Sequence, residues 1–143
     1  VGSLDVYYLP EHDESPVMVA TEDEVDAFID KVVAQSPMAA PILMDLHLSG
    51  DPYAQGLDVG VVAERGLIRY AGRDWPLGVV STGEASAGGN PVPYFYMGHW
   101  REFPSNAEIS LATIKAAIKE FMSTNGVRPI CVQWQEVDEL ADQ

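Results

Sequence analysis

Three histidines, one cysteine and a scatter of carboxylates are the side chains here that could ligate a metal or move a proton. His12, His47 and His99 lie far apart in the chain. None has a second strong ligand at helical or Cys-x-x-Cys spacing, which a zinc-type site needs. Glu11-His12-Asp13-Glu14 gathers hard ligands in one stretch. It lacks the regular ligand spacing of a calcium loop and reads as a solvated turn. There is no Gly-x-Ser-x-Gly elbow for a serine nucleophile. Gly88-Gly89 is followed by neither a helix nor a lysine, so it does not read as a phosphate cradle. Paired carboxylates for glycoside chemistry stay open, but among 22 acids some pair always looks close. No catalytic residue, metal or cofactor is expected.

Cys131 is the only cysteine, so no internal disulfide can form. Its setting in Ile130-Cys131-Val132 reads as a small filler within a strand. The nearest cation is Arg128, which does not make the basic neighbourhood of a reactive thiol. A lone unpaired cysteine fits a reducing compartment, and a cytoplasmic location is expected.

Binding chemistry is better represented than catalytic chemistry. Tyr94, Tyr96, His99, Trp100, Arg101 and Glu102 cluster at one aromatic-rich strand and its exit. Trp, Tyr and Arg are the types enriched in binding hot spots. Strand alternation assigns Phe95 and Met97 to the core and leaves the two tyrosines partly exposed. Trp75 and Trp134 read as covers of the sheet's core.

The net charge is −14, and it is unevenly spread. Through Asp58 there are twelve acids and one base; beyond it, ten acids and seven bases. Nucleic-acid binding needs the opposite sign, and an anionic membrane surface is disfavoured for the same reason. A basic protein partner fits this field.

Periodicity supplies the elements that hold these residues. Leu4–Leu9 and Val17–Ala20 read as short strands around a Pro-bounded turn. Thr21-Glu22-Asp23-Glu24 is a capping box that opens a helix reaching about Gln35. Strands follow at Ile42–Leu48, Gly56–Glu64, Leu67–Gly72, Trp75–Ser81 and Val92–Trp100, with a hairpin at Arg65-Gly66. Ser110 caps a second helix ending near Ser123, and Asn125-Gly126 closes it. Ile130–Gln135 reads as the last strand, and residues 137–143 as a frayed tail. Val1-Gly2-Ser3 reads as a cloning remnant or trimmed start and receives no structural weight. No apolar run approaches the ~18 residues of a membrane span, and no signal peptide is read. The 143 residues suit one domain, residues 1–143. The fold class is α+β: a mostly antiparallel sheet of about seven to eight strands, with two helices packed on one face.

Several segments carry a resemblance. These are Phe103-Pro104 with Ala107-Glu108-Ile109, the helix that follows, and Arg128-Pro129 leading into Val132-Gln133-Trp134-Gln135-Glu136. Val19-Ala20-Thr21, Gly66–Gly72 and Tyr94–Gly98 match more weakly. Together the chain resembles immunity protein family one of bacterial polymorphic toxin systems. The resemblance implies an antitoxin without catalytic residues. It would bind a cognate toxin domain, often a nucleic-acid-targeting deaminase, and block that toxin's basic active-site face. It also implies a monomer, or a 1:1 heterodimer with the toxin, and no direct contact with nucleic acid or membrane. It assigns no binding residue. Composition and loop position nominate Tyr94, Tyr96, Trp100 and Glu102, with Asp13, Glu14, Asp51 and Glu84 as rim charges. Two other readings stay open: an acidic adaptor without a toxin partner, and a small metal-dependent hydrolase.

Overall fold

Alternation within β3 (Ile42–Leu48) sets the plan of the molecule. Met44 and Leu46 face one side of the sheet; Leu43, Asp45 and His47 face the other. The computed structural model describes residues 2–50, 55–86 and 88–137 and the backbone of 141–142. Among these, eleven strands form one mostly antiparallel sheet, and two helices pack on one of its faces. The strand count exceeds the expected seven to eight because several strands are only two or three residues long. The α+β plan is as expected.

The sheet centre is a meander. β3 pairs with β4 (Gly56–Val62), β4 with β5 (Arg65–Gly72), and β5 with β6 (Trp75–Ser81), all antiparallel. β10 (Trp134–Glu136) closes the β6 edge. On its other side β3 serves two neighbours. Its C-terminal half pairs with β1 (Leu4–Tyr7), which pairs with β2 (Val17–Val19). Its first residue, Ile42, pairs with Phe95 of β7 (Val92–Tyr96) in the single parallel step. β7 continues into β8 (His99–Phe103), whose outer edge carries β11 (Ala141–Asp142). The short β9 (Ile109–Ser110) pairs with the start of β5.

Helix α1 (Glu22–Gln35) is opened by the expected N-cap: Glu24 N–H donates to Thr21 Oγ1 at 3.1 Å. Glu24 Oε1 accepts from Ala20 N–H, one residue before the cap, at 3.2 Å, so only the first bond of the expected capping box forms. Its stripe Val25, Ile29 and Val32 is buried against Leu4, Leu46 and Val59 on the helix face. Helix α2 (Leu111–Ser123), capped by Ser110, buries Ile114, Ala117, Ile118, Phe121 and Met122 in the same core. Lys115–Asp30 at 2.7 Å and Lys119–Asp26 at 2.9 Å tie the helices side by side. Trp75 and Trp134 cover this core around Tyr70, as expected.

Five sequence readings need correction. Val92–Trp100 is not one strand. Met97 (φ 48°) and Gly98 (φ 85°) turn it back, with Tyr96 paired to His99. A two-residue turn with both φ positive matches the twist of a hairpin. The β4–β5 turn is Ala63-Glu64, because Val62 pairs with Arg65. Gly66 serves packing instead: a Cβ there would collide with the Gly60 carbonyl and Ile114. The last strand begins only at Trp134, because Glu120 accepts the Ile130 and Cys131 N–H groups and holds that segment on α2. Cys131 is consequently exposed and is not a core filler. At the N-terminus, the Ser3 carbonyl accepts Ser49 N–H at 2.9 Å, so the first residues do have structural contacts.

The second core lies opposite the helices. Leu43, Val62, Leu67 and Val80 of the sheet are covered by Tyr94, Phe103 and Ala107. The Tyr94 ring rests directly on Gly60, where any Cβ would collide with it. Gly60→Ala should therefore destabilise the fold by ~1–3 kcal/mol, the usual range for overpacking, read as a lowered denaturation midpoint.

Candidate functional site

The β7–β8 hairpin covers only part of the helix-free face. The uncovered part holds one cross-sheet row. Tyr7 pairs with Asp45, Asp45 with Asp58, Asp58 with Arg69, and Arg69 with Val80. Two carboxylates thus stand directly opposite each other near the sheet's centre, with one guanidinium beside them. Like charges at such positions are destabilising.

Each member is held in place. Arg69 Nη1 donates to Asp58 Oδ2 at 3.1 Å, and Nη2 donates to the Leu77 carbonyl at 2.9 Å. A bulge after Tyr70 and the left-handed Gly78 (φ 85°) make room for that guanidinium, which fills the space a Cβ would occupy. His47 Nε2 lies 3.0 Å from Asp45. Ser49 donates to Asp5 at 2.7 Å on the same face. Tyr96 closes the site from the hairpin, in the combined field of Asp45, Asp13 and Asp58. Asp13 is delivered by a 3-10 turn, Pro10–Asp13. That turn is locked because the buried His12 accepts the Tyr8 and Leu9 N–H groups at Nδ1, both at 3.1 Å. Among the described residues, no three His, Cys, Asp or Glu converge as a metal site requires.

The electrostatics of the row follow from burial. The Asp58 side chain is only 15% exposed. Desolvation, then the neighbouring Asp45, push its carboxyl up to about 6, and Arg69 and Arg101 only partly oppose this. The hydrogen bond to Asp45 raises His47 above its ordinary value. Burial and the surrounding aspartates push the Tyr96 phenol up to about 12, so it stays a neutral donor. Asp5, Asp13, Asp45 and Asp58 face Arg69 and Arg101, which leaves the patch net negative.

The residues nominated from sequence divide. Tyr96 and Asp13 are brought together at this site. Tyr94 is not at the surface: it is 1% exposed, and its hydroxyl donates to Glu108 at 2.7 Å. The expected face assignment is thus reversed, because the space above Gly60 admits a flat ring and turns Tyr94 inward. Trp100, 37% exposed, packs beside Phe95 on the hairpin's outer side, which Glu102 shares. Glu14 is exposed in the turn after Asp13. Glu84 lines a separate open groove of about 630 Å³ with Arg65, Glu108 and Cys131. There, partial burial and Glu120 push the Cys131 thiol up to about 11, away from thiolate chemistry. Asp51 lies outside the described residues. Asp45, Asp58 and Arg69 were missed. Their signal was present as polar residues at alternate positions of strands whose other face is apolar.

The sign of the pH dependence is fixed by these shifts. A carboxyl that titrates at about 6 when folded, against 3.8 ordinarily, gives the folded chain the greater proton affinity. Its stabilisation is complete below about pH 4 and is lost as pH rises through 6. The raised His47 acts in the same direction. Asp58→Asn should make the protein more stable at pH 8 by about 1 kcal/mol, with the advantage shrinking toward pH 5. Denaturant midpoints of both proteins across that range check this.

Comparison with known families bears on this geometry. No curated protein matches the chain. The model of one family, immunity protein Imm1, matches residues 13–136, which spans the 3-10 turn's end, both helices and strands β2 through β10. That match covers most of the 143 residues, and the chain belongs to the Imm1 family of immunity proteins.

Proposed function

We propose that this immunity protein neutralises its toxin through the open part of the helix-free face. Asp45, Asp58 and Tyr96 sit at the centre and Asp13 and Asp5 at the rim. The observation that carries this reading is the Asp45–Asp58 pair. Two carboxylates stand opposite each other on a half-buried strand row, which lowers the stability of the sheet, and Arg69, Arg101 and His47 offset this only in part. Locally unfavourable arrangements of this kind concentrate at functional sites. A Lys or Arg from a partner supplies the remaining counter-charge.

Family membership supports a toxin as that partner. We read the toxin as a nucleic-acid-acting enzyme, with a deaminase-superfamily domain as the favoured class. An enzyme that holds DNA or RNA presents cations around its active site. An acidic face then matches that site, speeds encounter and rejects wrong partners. On this reading the protein has no catalysis of its own, works in the cytoplasm and forms a 1:1 complex. Trp100 and Glu102 flank the contact from the outer side of the hairpin. The separate groove with Glu84 lies outside it.

Calorimetry against the C-terminal domain of the toxin encoded beside this chain tests the proposal. Tight binding that weakens strongly with salt, together with loss of toxin activity in the same mixture, is expected. Asp45→Asn and Tyr96→Ala should each weaken binding about tenfold or more, which is about 1.4 kcal/mol or more. Glu84→Gln should change it less than about threefold, as a charge outside the contact does. Unchanged affinity in both of the first two variants would place the interface elsewhere.

A further inference from the structure

The same row has a second property, which rests on the interface reading above. Asp58 is surrounded from every packed element. Asp45 and His47 face it from β3, and Arg69 from β5. Arg101 faces it from β8 and Tyr96 from β7, while Asp5 and Tyr7 of β1 and Asp13 of the 3-10 turn face its neighbours His47, Asp45 and Tyr96. Arg69 is already committed to Asp58 and the Leu77 carbonyl, and its position is fixed by the Gly78 bulge. It cannot swing across to serve Asp45 as well without leaving Leu77. Arg69, Arg101 and His47 offset only part of the pair's repulsion, and a cation from outside or a proton relieves the rest.

We propose that these two compete, so that mild acid releases the toxin: a proton on the Asp45–Asp58 pair removes the charge that the toxin's Lys or Arg needs. The step is a proton moving from solvent to a carboxylate oxygen of the pair, and no covalent bond to the partner is made or broken. His47 adds to the effect, since a proton on its ring places a further positive charge beside Asp45. With Asp58 titrating at about 6, the patch loses one negative charge between neutral pH and about pH 5. Bound toxin, by supplying the cation, holds the proton off. The linkage is reciprocal.

The test is the affinity of the full-length protein for the same toxin domain from pH 7.5 to 5.0, in wild type, Asp58→Asn and Asp45→Asn. Titration of the toxin's own groups contributes equally to all three, so the readout is the difference in pH slope. Wild-type affinity should fall about tenfold more than that of Asp58→Asn over this range, the size set by one proton. Both variants should begin weaker at pH 7.5 and stay flatter. If the variants are weaker at pH 7.5 but keep the wild-type slope, the acid-release inference is overturned and the interface stands. If neither variant is weaker at pH 7.5, the interface reading falls and the inference falls with it. The carbon-detected titration of the Asp58 carboxyl, free and toxin-bound, gives a check that needs no variant. A midpoint lowered by toxin supports competition, and an unmoved midpoint refutes it.

Discussion

The arrangement of the helix-free face depends on one unbalanced contact: Asp45 and Asp58, side by side across β3 and β4, with Arg69 as the cation paired to Asp58 in the strand register. The pair sits mid-sheet, where a β-branched couple would be the stabilising choice. Accommodating it takes a bulge between β5 and β6, a left-handed glycine and a main-chain carbonyl turned toward a guanidinium. The same irregularity also brings Trp75 opposite Gly72, where it packs on Tyr70 at the helix-face core. These adjustments make sense as the support for a charged row that must stay open.

The fold keeps that row open by dividing the helix-free face in two. Gly60 admits the Tyr94 ring, and the β7–β8 hairpin then lies over Leu43, Val62 and Leu67. Tyr94 is anchored further by Glu108, which also lies 3.3 Å from Arg65 Nε. The covered half becomes a second core. The hairpin ends in the Met97-Gly98 turn, so it leaves Asp45 and Tyr7 partly exposed and sets Tyr96 beside the largely buried Asp58. Helices on one face and a short hairpin on part of the other thus produce both stability and an accessible acidic patch.

Much of the scaffold could be read from the chain. Both helices carry caps and apolar stripes that local chemistry determines, and Thr21 and Ser110 cap as their types suggest. The central meander followed from alternation. What could not be read were features decided by contacts distant in sequence. Gly66 looks like a turn residue, yet it lies within a strand because of Gly60 and Ile114. Tyr94 ranks below Phe95 in hydrophobicity, yet it is the one buried, because the space above Gly60 selects it. Ile130 and Cys131 have strand-like neighbours, but the Glu120 carboxylate holds their amides on α2. The charged row was the hardest to find. Asp45, Asp58 and Arg69 are separated in sequence and become one feature only through the register of three strands.

The chain is an Imm1-family immunity protein, and the acidic row is where we propose its toxin binds. The central claim is that the toxin meets the helix-free face. Amide hydrogen exchange of this protein, alone and saturated with the toxin domain, tests it most directly. The account predicts new protection concentrated at Asp5–Tyr7, Asp45–His47, Gly56–Asp58 and Tyr96–His99, with α1 and α2 unchanged. New protection confined to α1 and α2, or to the groove beside Glu84 and Cys131, would contradict it.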